Sequence, residues 1–74
     1  MSFSERLKYL RKSKKIEQKE LAFIFGITTR SWRFYEAGQR EPPLHLLIEI
    51  ADYFNVSIDF LVGRSDNPDW YRKL

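Results

Sequence analysis

The sequence contains no cysteine and a single histidine, His45. The first absence excludes disulfides and thiolate zinc sites. The second excludes a cluster of histidine ligands within one chain. No apolar run approaches the ~20 residues that a membrane span needs, and the N-terminus carries no hydrophobic segment of the signal-peptide kind. A soluble, cytoplasmic protein with no metal or other cofactor is expected, and no membrane partner. No carboxylate pair and no nucleophile beside a base stands out, so an enzyme is not expected. His45 reads as a surface residue near a helix start. Strand-like alternation, internal repeats and low-complexity stretches are also missing.

What is present fits one small domain. The chain has 74 residues, of which 43% are hydrophobic and 16% aromatic. A domain of that size buries roughly 60% of its unfolded surface, enough for one marginal core. The net charge of +3 is unevenly spread. Residues 1–40 hold ten Lys/Arg against four Asp/Glu, whereas residues 41–74 hold three against six. One end of the domain is therefore basic, which is the electrostatic footprint of a polyanionic partner.

The hydrophobic spacing predicts helices throughout. Ser2-Phe3-Ser4-Glu5 fits a capping box, and Phe3, Leu7 and Leu10 share one face of a first helix over 3–13. A second helix over 18–25 would present Leu21, Ala22, Ile24 and Phe25, with Gly26 closing it. Thr28 suits the N-cap of a third helix that runs to Ala37 and stops at Gly38. Pro43 suits the first position of a fourth helix, with Leu44, Leu47, Ile48, Ala51 and Phe54 at core spacing. Ser57 would cap a short fifth helix whose Ile58, Leu61 and Val62 face inward. The expected division is a domain over 1–63 and a tail over 64–74.

Two short helices joined by a tight glycine turn make a helix-turn-helix pattern. The run Gln18-Lys19-Glu20-Leu21-Ala22, then Gly26-Ile27-Thr28, then Trp32, then Glu36-Ala37-Gly38-Gln39-Arg40-Glu41-Pro42 resembles the phage repressor and Cro type, the XRE family. The closing run from Val56 to Gly63 extends the likeness, which covers residues 3–62. The resemblance implies an all-α, five-helix DNA-binding domain that reads the major groove with its third helix. It implies a sequence-specific regulator of transcription, most simply a repressor.

The residues supply their own argument for the third helix. Trp32 and Tyr35 are three apart and share the face that the core requires. Arg30 and Phe34 are four apart and form an exposed stripe. Arg30 is then the candidate for a bidentate contact with guanine, with a phosphate contact as its alternative. Phe34 cannot hydrogen-bond a base edge but can pack on a thymine methyl; otherwise it fills a gap at a dimer or loop contact. The resemblance makes that position usually polar, so the phenyl is a departure. Thr28 and Thr29 can meet phosphate or a methyl group, and Arg33 a phosphate. Gln39 and Arg40, just past the helix end, can reach the next phosphates. By resemblance, Gln18 binds the DNA backbone and braces the third helix, and Arg11 pairs with Glu36 to tie the first helix to the third.

Leu46, Tyr53 and Phe60 fall where the pattern expects solvent, and Trp70 and Tyr71 lie in the tail. Together they predict a homodimer interface, with two reading helices one DNA turn, ~34 Å, apart on a pseudo-palindromic operator. The alternative leaves the tail folded back over its own domain. With no second domain expected, the chain resembles a stand-alone, Cro-type regulator. The competing function is an antitoxin or protein-interaction module whose apolar patch grips a toxin or an anti-repressor.

Overall fold

Ser2 starts the first helix. Its hydroxyl accepts the Glu5 amide at 3.2 Å, and the Glu5 carboxylate accepts the Ser2 amide at 2.9 Å. The computed structural model describes residues 1–69. In chain order its helices are α1 (Phe3–Ser13), α2 (Gln18–Ile24), α3 (Thr29–Ala37), α4 (Leu44–Phe54) and α5 (Ile58–Leu61). The architecture is all-α, with α2 and α3 packed on each other and α1 crossing behind α3. Among the described residues, no helix is long and apolar enough to cross a membrane.

The capping chemistry sets most boundaries. Thr28 Oγ1 accepts the Ser31 amide at 3.0 Å and opens α3; Ser57 Oγ accepts the Phe60 amide at 3.0 Å and opens α5. The Glu17 amide is taken by the Glu20 carboxylate at 3.0 Å, which starts α2 without a Ser or Thr cap. Pro43 stands one place before the expected position, as the N-cap of α4 rather than its first residue. Gly38 ends α3 in the left-handed region at φ +74°.

The core holds Leu7, Leu21, Trp32, Ile50 and Leu61 with almost no exposure. Trp32 stacks on Phe25 with the rings 5.9 Å apart and nearly parallel, and meets Tyr35 edge-on. The inward face of α4 is rotated from the expected one. Leu46, Ile50, Ala51 and Phe54 are buried, whereas Leu44 is 67% and Ile48 42% exposed. The polar residues His45, Glu49 and Asp52 share one narrow exposed side of α4, and Leu44 and Ile48 flank it, so the buried face is the one opposite those polar residues. In α2, Ile24 is likewise exposed, while Leu21 and Ala22 are buried.

The expected dimer patch is largely used up by the fold itself. Leu46 and Phe60 are buried in the same domain, so neither is free to face a second chain. Phe60 lies beneath the Arg6 guanidinium, whose carbon is 3.8 Å from the ring centroid. Arg6, itself buried, donates to the Phe60 carbonyl at 3.1 Å and the Ser65 carbonyl at 3.4 Å, and pairs with Asp66 at 3.5 Å. The Ser57 amide donates to the Pro68 carbonyl at 3.0 Å. The segment 64–69 is thus folded back against α1 and α5. Tyr53 remains 39% exposed, with its ring edge-on to Phe25 and Phe54. Trp70 and Tyr71 lie outside the described residues.

Candidate nucleic-acid interface

Helix α3 divides cleanly between an anchored and a free side. At about 100° per residue, Trp32, Tyr35 and Glu36 point one way and Arg30, Arg33, Phe34 and Ala37 the other. The first three are buried. Arg30 and Arg33 are exposed, and Phe34 and Thr29 half-buried.

One carboxylate anchors the inner side. Glu36 Oε2 accepts from Arg11 Nε and from Trp32 Nε1, each at 2.6 Å. Its Oε1 accepts from the terminal Arg11 nitrogen at 3.1 Å and from Gln18 Nε2 at 3.0 Å. Residues of α1, α2 and α3 therefore converge on one acceptor. Burial opposes ionisation of this carboxyl group and is the largest single influence on it. The hydrogen bonds from Arg11, Gln18 and Trp32, with the Arg11 charge, outweigh burial and hold the group below the usual carboxylate range. Gln18 spends one amide hydrogen on Glu36, which leaves its second hydrogen and its carbonyl oxygen for other partners. The Trp32–Glu36 bond spans one turn of α3, a spacing already present in the sequence, whereas the arrival of Gln18 at the same carboxylate depends on how α2 packs on α3.

The outer side carries positive charge without a carboxylate. Arg30, Arg33 and Arg40 make no ion pair with any described residue. Both Arg30 and Arg40 approach Phe34, with guanidinium carbons 5.3 and 4.9 Å from the ring centroid. Arg30 reaches the ring across one helical turn. Arg40 reaches it because the left-handed turn at Gly38 reverses the chain, with the Gln39 amide bonded to the Phe34 carbonyl at 3.0 Å. Gln39 is exposed beside them. Thr28, committed to capping, sits at the leading end of the same surface. Among the described residues, no group of acidic or histidine side chains could hold a metal ion.

Comparison with known proteins agrees with this geometry. Residues 7–61 match the Helix-turn-helix family. An uncharacterized HTH-type transcriptional regulator of Bacillus subtilis, YobD, is 39% identical over 67 residues, covering 90% of this chain and 60% of the relative. A second from the same organism, YqaE, is 43% identical over 65 residues, covering 88% of this chain and 56% of its own. The cryptic phage CTXphi transcriptional repressor RstR of Vibrio cholerae is 39% identical over 64 residues, covering 86% and 57%. The crystal structure of a transcriptional regulator from Listeria innocua superposes with a TM-score of 0.81 at 30% identity, covering 99% of this chain and 63% of that one. The chain thus spans 56% to 63% of the length of these relatives. With its helix 2–turn–helix 3 geometry and a family match over most of its length, the chain belongs to the XRE (Cro and phage-repressor type) family of helix-turn-helix transcriptional regulators.

Proposed function

We propose that this chain is a sequence-specific reader of double-stranded DNA that represses transcription, with α3 in the major groove. The observation that carries the reading is the split character of α3: its inner side is fixed by Trp32 and Glu36, and its outer side holds arginines that pair with no carboxylate among the described residues. A major groove ~12 Å wide admits one such helix. Arg30, central on the outer side, contacts a base edge, and Phe34 lies next to it in the groove. Arg33, Gln39 and Arg40 meet phosphates, Thr28 and Thr29 meet phosphate or a thymine methyl, and Gln18 offers its free amide hydrogen to the backbone. The 1–63 segment is the reading domain.

The regulator acts as a homodimer on a pseudo-palindrome. Leu44 and Ile48, both exposed and four apart on α4, support the pairing in place of Leu46 and Phe60. A protein partner, such as a toxin or an anti-repressor, is the second reading. It is favoured by Phe23, 85% exposed beside Ile24 on α2.

The test is selection of bound duplexes from a random pool at ~150 mM salt, where non-specific affinity is already weakened. A two-fold-related motif with half-sites one turn apart supports the proposal. Arg30→Ala should relax one base position by ~1–3 kcal/mol, and Arg33→Ala should reduce the salt slope by about 1. Salt-sensitive binding without any motif would refute sequence reading and leave the partner-module reading in its place.

A further inference from the structure

We infer that Phe34 is a positioning residue: its ring orients the Arg30 and Arg40 guanidinium groups, so that one meets a base and the other the adjoining phosphate. This rests on the reading of α3 as the groove helix. An apolar ring in the middle of a basic surface calls for an explanation, since phenyl offers nothing for a base edge to bond. The geometry supplies one. A guanidinium within ~6 Å of an aromatic centroid is attracted by the ring quadrupole. Arg30 and Arg40 both satisfy that distance, at 5.3 and 4.9 Å.

The two arginines come from different local structures. Arg30 lies one turn upstream on α3 itself. Arg40 belongs to the segment after the helix and returns only because Gly38 adopts φ +74°. Neither is drawn away by an ion pair with a described residue. An unrestrained arginine loses much rotamer freedom when it docks on DNA. Arginines already resting on a ring lose less, and their spacing is set before the encounter. Phe34 therefore contributes to specificity through the two cations rather than by reading a base.

The experiment compares wild type, Phe34→Leu, Phe34→Trp, Arg30→Ala, Arg40→Ala and the Leu variant combined with each alanine. Affinities are measured on the selected duplex, on its single-base variants, and on duplexes with deoxyuridine in place of each thymine. Phe34→Leu should weaken binding about two- to fivefold for each arginine it releases, and discrimination at the Arg30-dependent base pair should fall with it. Phe34→Trp should retain both. In the Arg30→Ala background the Leu change should cost clearly less than in wild type, which is the mark of coupling. In the free protein, upfield ring-current shifts on the Arg30 and Arg40 δ-methylene protons should vanish in the Leu variant. Additive losses would overturn the positioning role. A Leu loss fully reproduced by deoxyuridine at one position would also overturn it, and would assign the ring to a thymine methyl. A wild-type protein with no sequence preference on any duplex would overturn the underlying reading, and the positioning role with it.

Discussion

Replacing Glu36 by alanine tests the central claim about this fold. The substitution strips the acceptor from Arg11, Gln18 and Trp32 at once. The side chain is 2% exposed and that of Arg11 13%, so water cannot readily take the vacated place. Removing one partner of a buried ion pair costs ~3–5 kcal/mol. A 74-residue domain has a total stability of roughly 4–11 kcal/mol. The variant should therefore lose a large share of its stability, and its melting temperature should fall by at least ~12 °C at ~4–8 °C per kcal/mol. Circular dichroism melts at neutral pH measure this directly. The acid limb provides a second check. The Glu36 carboxyl is held below its ordinary pKa, so its stabilisation is fully present above the unfolded value and is lost as pH falls through the folded one. Melting temperatures of wild type and Glu36→Gln should then begin to converge as pH falls below the ordinary glutamate value of about 4.3, and meet only below the depressed folded value. A fall of less than ~4 °C for Glu36→Ala, or curves that stay parallel in acid, would refute the reasoning.

Other substitutions probe separate features. Gly26 has φ +70° with open space around it, so Gly26→Ala should cost only the backbone strain, ~1–2 kcal/mol. At Gly63 a Cβ would stand 2.2 Å from the Met1 carbonyl oxygen, so Gly63→Ala should cost clearly more in urea titrations of the two variants. Leu46→Ala should lower stability by ~2–5 kcal/mol, as a core truncation does, without altering the oligomeric state seen by light scattering. If the proposed homodimer pairs through α4, paired alanine changes at Leu44 and Ile48 should do the reverse, shifting light scattering to the monomer with little effect on the thermal melt.

The helix boundaries were legible because local chemistry sets them. Ser2, Thr28 and Ser57 cap as their side chains dictate, and Gly38 stops α3 as a left-handed glycine does. The inner side of α3 followed from the spacing of Trp32 and Tyr35. The face of α4 was legible from its polar residues rather than its apolar ones: His45, Glu49 and Asp52 mark the outward side, which turns Leu46, Ile50 and Phe54 inward and leaves Leu44 and Ile48 at its border. Arg6 occupies a place between Phe3 and Leu10 on the apolar face, so its burial was visible in the spacing but masked by its charge. The approach of Arg40 to Phe34 depends on the exact reversal at Gly38, which residue types do not encode. The DNA contacts proposed for α3 rest on exposed side chains, whose roles follow from what they meet rather than from the fold.

The Arg6 clasp bears on the order in which the chain folds. It joins residues 54 apart in sequence, whereas Arg11 and Glu36 are 25 apart. Loop closure costs about 0.6 kcal/mol more for each doubling of the loop, so the α1–α3 unit has the shorter search. Nearest-neighbour packing of α2 on α3 favours fast folding through that unit, with α5 and the 64–69 segment closing afterwards. Loss of the Arg6 clasp would then appear mainly as faster unfolding, and loss of Glu36 mainly as slower refolding. The last piece to close is the first to open, so transient exposure to proteases should begin at the 64–69 segment while α1, α2 and α3 stay assembled.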